Sequence, residues 1–429
     1  MCSLKQLVLL CLLSGNTAVQ AQTAPDTWLI RGFGTLSATR TDDSGTGYVS
    51  YPQNTSLATT HEWSVANDSL MGVQLDVRPD QQLSATAQVI ARHRARDHIK
   101  PQLEWGFIKY RHDDHWTIQV GRLLTPVQMD AESRFVGYAN TTVRADLSAH
   151  SLYPLSNHDG VNITHERMVG DTHLEVVGYA GRASIELPGD RDGKQFFHYR
   201  ADLVKGIRLS AVNGGLTFKA SYTKFDDYVE GTTTNFIKLL LTQSQNAELN
   251  GCGSCQRVSQ ALNNTLTDIG STLIDIGLRY DFQPYAVWGE YFSNSARESL
   301  RSSYHGVVLG GSITRGKWTP YITYGVQKLK KVNAHRISDA DLLNPSVSST
   351  QLPAFNQEPL FPSNSARQSW AIGARYEITR NAALKAEMLQ VRLQDPTRAY
   401  PTPFPKLSLS GEPRSKSFGL YTLALDFVF

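Results

Sequence analysis

The sequence predicts an all-β fold: a transmembrane antiparallel β-barrel of about 16 strands, closed on itself. Three observations lead there. The chain divides into sixteen runs whose polarity alternates residue by residue. The joints between runs alternate in length, eight long and seven short. The last twelve residues, FGLYTLALDFVF, form a two-sided strand ending on an aromatic. Strand side chains alternate between faces, so each such run offers one apolar and one polar face. Lipid supplies no partner for a free backbone group, so a spanning sheet must close.

The chain opens with Lys5, an apolar stretch from Leu7 to Leu13, and the small-residue pattern Val19-Gln20-Ala21. This is read as a signal peptide over residues 1–21, cleaved after Ala21, with one barrel domain over residues 22–429. After Ala21 no stretch approaches the roughly 20 apolar residues of a membrane helix. Mean hydropathy is negative. A transmembrane barrel shows that average too, because only alternate residues meet lipid. The formal net charge of +3 lacks the basic excess of a nucleic-acid binder, and none is expected as a partner.

The runs follow in order. Trp28–Arg40 comes first, then a long joint, then Ser69–Arg78 with Met71, Val73, Leu75 and Val77 opposite Gln74, Asp76 and Arg78. The turn Pro79-Asp80-Gln81 leads to Gln82–Arg92. Gln102–Arg111 and His115–Leu123 flank His112–Asp114. The joint Leu124–Asn157 carries almost no strand pattern. His158–Arg167 and Asp171–Ala180 follow, then a joint over Gly181–Phe197 rich in Gly, Asp and Pro. His198–Val212 and Leu216–Phe225 flank Asn213-Gly214-Gly215, the clearest hairpin.

After the longest joint, Asp226–Gly270, the run Ser271–Phe282 sets Ile274, Ile276, Leu278 and Tyr280 against Asp275, Gly277, Arg279 and Asp281. Tyr285–Asn294, Ser302–Thr314 and Lys317–Lys328 come next. Gln368–Thr379, Ala382–Leu393 and the terminal run complete the set. The final aromatic is expected to meet the first tryptophan, Trp28, where the sheet seals. Aromatics near strand ends suit an interfacial girdle. A ring this wide leaves an aqueous lumen.

The alternation of Tyr421, Leu423, Leu425, Phe427 and Phe429 resembles the C-terminal signature of bacterial outer-membrane barrels. It implies recognition by the barrel assembly machinery. With the signal peptide, sixteen strands and long third joint, the chain resembles the Gram-negative general porin family. The resemblance covers the whole mature chain and implies a homotrimer in the cell outer membrane, among its lipids and lipopolysaccharide. It also implies a third loop folded into the lumen, with carboxylates facing basic wall residues. Val120-Gly121-Arg122 at the fifth run's end looks like the porin pattern, whereas the acidic glycine-rich loop motif of the family is absent.

Candidate constriction residues on the loop are Asp130, Glu132, Arg134, Arg144 and Asp146; wall candidates are Arg31, Arg78, Glu104, Arg122, Arg279 and Arg375. Strict alternation sends Arg122 to the same side as lipid-facing Val120; Gly121 offers a bulge that would turn it inward.

In the fifth long joint, Val258, Ala261, Leu262, Thr265, Leu266 and Ile269 follow helical spacing and Phe236–Leu241 is apolar. A short helical hairpin is expected there, with Cys252 bonded to Cys255 across its corner. A redox or metal pair is the competing reading of Cys-x-x-Cys; no second pair or neighbouring His supports it, and the periplasm is oxidising. Twelve His are scattered without a nucleophile motif, a metal-spaced pair or a phosphate loop, so no enzyme, metal or cofactor is expected.

The sequence therefore points to a passive diffusion channel for small hydrophilic solutes and ions, narrowed by the loop 124–157. Two alternatives remain. One is a channel specific for sugars, organic acids or aromatic compounds, with a lid around Pro353–Pro362. The other is a structural or adhesive surface barrel whose loops bind a partner.

Overall fold

Alternating polarity, rather than overall hydrophobicity, decides where this chain crosses. The computed structural model describes residues 27–43, 48, 50, 62–94, 98–144, 155–188, 196–230, 232–253, 255–267, 270–296, 303–330, 366–393 and 417–429. The signal peptide and the stretch Pro353–Pro362 lie outside them.

Sixteen antiparallel strands close into one barrel, each paired with its sequence neighbours and β1 with β16. They are β1 (Trp28–Thr41), β2 (Leu70–Val77), β3 (Leu83–Arg94), β4 (His98–Arg111), β5 (Trp116–Leu124), β6 (Asn157–Val169), β7 (Thr172–Pro188) and β8 (Phe196–Asn213). The second half comprises β9 (Leu216–Glu230), β10 (Gly270–Phe282), β11 (Tyr285–Ala296), β12 (Tyr304–Ile313), β13 (Trp318–Leu329), β14 (Arg367–Thr379), β15 (Ala382–Leu393) and β16 (Ser417–Val428). Two helices, α1 (Thr232–Leu249) and α2 (Cys255–Thr267), lie between β9 and β10.

Each run matches one strand, and the period-two faces hold. In β10, Ile274, Ile276, Leu278 and Tyr280 are exposed outward while Leu273 and Asp275 are buried inward. Outward aromatics such as Trp28, Trp116, Tyr285 and Trp318 ring the short-turn end, as a membrane interface favours. No described helix is long and apolar enough to cross a membrane.

Several sequence boundaries shift, among them the start of β4 at His98 and the end of β9 at Glu230. β7 runs on to Pro188 and β8 starts at Phe196, so much of the expected joint Gly181–Phe197 is strand. A register shift at Gly181/Ala183 accounts for the β7 extension: the bulge breaks strict alternation while leaving the ladder intact. These longer strands support α1 and α2. Val258 and Leu262 of α2 and Leu240 of α1 share an apolar core with Tyr179, Leu187, Tyr199 and Phe225. Cys252 and Cys255 are disulfide-bonded across the corner, as the sequence predicts.

The seam differs from expectation. Phe429 exchanges backbone hydrogen bonds with Gly32, not Trp28, at 2.8 and 2.9 Å. Trp28 lies opposite Val77 of β2. The reason is local: a Cβ on Gly32 would fall within the Phe429 ring, so only glycine lets the aromatic lie flat across the joint.

Candidate pore constriction

The described part of the loop between β5 and β6, residues 125–144, lies within the barrel, held on two sides by inward-facing strand residues. Towards β8–β11, the Lys219 ammonium donates to Met129 O and Glu132 Oε2, both at 2.9 Å. Arg208 also bonds Glu132, while its Nη2 reaches Glu175 at 2.6 Å. Ser221 Oγ donates to Val127 O at 2.6 Å, and the Met129 N–H to Glu290 Oε1 at 3.1 Å.

Towards β13–β16, Lys385 Nζ donates to Gly137 O at 2.8 Å and Thr142 O at 2.9 Å, and pairs with Asp426 at 2.8 Å. Lys385 is wholly inaccessible to solvent. Arg375 Nη1 donates to Tyr138 O and Asn140 O at 2.6 and 2.8 Å, with its guanidinium over the Tyr138 ring. A charged donor in a site this dry makes a stronger bond than a neutral one, so loop position is fixed by cations on backbone carbonyls. Between these anchors Phe135 packs against Phe33, Leu70 and Ile90, sealing the loop to β1–β3.

Arg144 ends this arrangement. It pairs with Asp68 at 2.8 Å and Glu387 at 3.3 Å, donates to Thr422 Oγ1 at 2.7 Å, and lies over the Tyr48 ring. Burial works to raise the Asp68 carboxyl, but the Arg144 charge and hydrogen bond outweigh it and hold it below the usual carboxylate range. Glu132 behaves likewise: burial opposes its charge, and Arg208 with Lys219 overcomes that, so its carboxyl is held low.

Between these two sets of anchors the loop and the wall enclose a gap. The gap is a cavity of about 530 Å3 bordered by Asp130, Glu132, Asn140 and Arg144 on the loop, and by Lys219, Arg279, Trp288, Thr323 and Glu387 on the wall. Arg279 pairs with Asp281 at 2.8 Å and lies 5.4 Å over the Trp288 ring. Both charge signs and an aromatic face therefore border one polar gap.

Most expected residues face the interior. Asp130, Glu132, Arg144 and Arg279 border the gap, and Arg375 holds the loop from the wall. Arg134 stacks on Phe135. Glu104 accepts bonds from Ser156 and, at 3.1 Å, Asn157, tying down the far end of the loop. Arg31 and Arg78 lie at the short-turn end, Arg31 paired with Asp76 at 2.6 Å. Asp146 lies outside the described residues.

Arg122 is a correction. It keeps the outward parity of Val120, which is 58% exposed, and forms a bidentate pair with Asp159 at 2.8 and 2.9 Å. Gly121 does adopt φ +136°, yet the ladder stays in register through it, so no bulge turns the side chain inward.

Sequence reasoning missed Arg208, Lys219, Glu290, Lys385 and Glu387. The signal was present: each sits on the polar face of its run, opposite lipid-facing residues such as Ile207, Tyr291 and Leu384.

No protein-family model matches the chain, and no curated protein does. Solved structures do. OmpF of Salmonella typhi, solved in complex with daunomycin, aligns at TM-score 0.53 and 11% identity over 95% of this chain and 100% of that one. The fold is that of the outer-membrane porins. The anion-selective porin of Comamonas acidovorans shares this porin fold at TM-score 0.51 and 10% identity, over 94% and 99% of the two chains. The outer-membrane channel DcaP of Acinetobacter baumannii does so at TM-score 0.51 and 10% identity, over 95% and 99%. With identities this low, the likeness is one of architecture, not of pore chemistry.

Proposed function

We propose that this chain is a porin of a Gram-negative outer membrane, passing small hydrophilic solutes and ions by passive diffusion. The observation that supports the reading is the inward-folded segment 124–144 of the loop. It is bolted to the wall by Lys219, Arg375 and Lys385 yet leaves a gap between those anchors, lined by charges of both signs. A loop held this firmly sets a size limit without an energy source. Charges of both signs at close range tune which ions pass. The lipid-facing apolar band suits a bilayer with lipopolysaccharide, the terminal strand suits capture by the barrel assembly machinery, and the architecture suits a homotrimer.

The purified protein in planar bilayers should give stepwise ohmic currents, and proteoliposomes should swell in small sugars but not in large ones. A barrel that carries no current in any salt would overturn this reading and favour a structural or adhesive role. The Trp288 face in the gap favours a second reading, a channel with a solute-binding track. Saturable block of the current by one sugar, organic acid or aromatic compound would select it.

A further inference from the structure

A second cavity, of about 550 Å3, opens on the interior of β1–β5 at the short-turn end, apart from the constriction. Its lining includes Arg31, Arg78, Lys109 and Arg111 but only one carboxylate, Asp76. That carboxylate is already committed. It accepts from Arg31 at 2.6 Å, Thr86 Oγ1 at 2.7 Å and Gln74 Nε2 at 2.9 Å. The nearby acids of β6 and β7 are engaged too: Glu175 bonds Arg208 at 2.6 Å, and Glu166 sits 3.5 Å from His173. Among the described residues, the side chains of Arg78, Lys109 and Arg111 take part in no hydrogen bond or ion pair. By contrast, five other interior cations, Arg144, Arg208, Lys219, Arg375 and Lys385, have acidic or carbonyl partners.

We propose that this trough is a binding site for small multivalent oxyanions, built by Arg78, Lys109 and Arg111. Three like charges in one concave, low-dielectric wall raise a local positive potential that concentrates counter-charge. Guanidinium and ammonium donors that lack internal acceptors supply charge-assisted bonds to a phosphate or dicarboxylate oxygen. The site rests on the channel reading and adds to it: the trough lies on the short-turn side of the loop, so anions arriving from that side meet it before the constriction.

The test uses the full-length protein in planar bilayers with inorganic phosphate and succinate as probes, beside the variant Arg78→Gln/Lys109→Gln/Arg111→Gln. The native channel should be blocked several-fold more readily by either anion from the short-turn side than from the long-loop side. The variant should still open as a channel, lose that asymmetry, and shift its reversal potential in a KCl gradient towards cations. The single variant Lys109→Glu, a smaller change to the fold, should move both readouts the same way. Block by phosphate alone would narrow the site to phosphate; block by succinate alone would narrow it to carboxylates. Equal block from both sides, or unchanged asymmetry and reversal potential in an open variant channel, would overturn the proposal. A native protein without current would instead overturn the channel reading beneath it.

Discussion

Replacing Lys385 by Met tests how the loop is held. The ammonium is wholly buried, pairs with Asp426 at 2.8 Å and donates to Gly137 O and Thr142 O at 2.8 and 2.9 Å. Methionine keeps the stem and deletes the charge. Breaking one side of a buried pair typically costs about 3–5 kcal/mol, because the partner stays buried and uncompensated. Thr35 Oγ1 still donates to Asp426 at 2.6 Å, so a value near the lower end is expected. Residues 137–142 should detach, and single-channel recordings should show a larger, noisier conductance than the native protein. Lys385→Met combined with Asp426→Asn removes both charges. It should recover a good part of the lost stability in urea unfolding, while the loop stays loose because its carbonyls remain without a donor. A single variant with native conductance and a stability loss under about 1 kcal/mol would refute the idea that this lysine secures the loop.

Other outcomes follow from the same contacts. Gly32→Val places side-chain atoms inside the Phe429 ring and should slow barrel closure, seen as delayed loss of the unfolded band on unheated gels; Gly32→Val with Phe429→Ala should fold faster than Gly32→Val alone. Cys252→Ser with Cys255→Ser opens a four-residue ring, worth about 2 kcal/mol by chain entropy. Hydrogen exchange should rise in α1 and α2 while barrel strands keep their protection, and the untreated native protein should show no free thiol. Asp68 and Glu132 have depressed carboxyl values in the folded state, so their contribution is complete above the ordinary unfolded values and fades as pH falls through the folded ones. Conductance should hold steady from pH 7 to about 5, and loop flicker should appear only below about 4. Flicker that begins near neutral pH would contradict that assignment.

The barrel itself was open to reading because lipid on one side and water on the other impose a strict period of two. Ser271–Phe282 shows it: every second residue is apolar, and the structure turns that set outward. The Cys252–Cys255 link was legible because residues three apart at a helical corner fall within disulfide reach. What a one-dimensional pattern lacks is the route of a loop. Glu132 and Arg144 stood out as charged loop residues, but nothing local announces that Arg208 and Asp68 await them. A bulge hides from periodicity as well, so β7 reaches further than its clean alternation. Arg122 shows the opposite error: alternation alone gave its side correctly, and the expectation drawn from Gly121 and the family pattern did not.

The junction of β1 with β16 carries a consequence for how the cylinder is made. Thr35 and Asp426, hydrogen-bonded across it, are 391 positions apart in the chain. Bringing such distant points together in a free coil costs about 5 kcal/mol of chain entropy, against about 1 to 2 kcal/mol for a tight turn. Zipping the intervening hairpins in succession shrinks that span stepwise, until the outermost ribbons already lie side by side. On that route the closing pair forms late, and until it does the two edge strands carry backbone groups that lipid cannot satisfy.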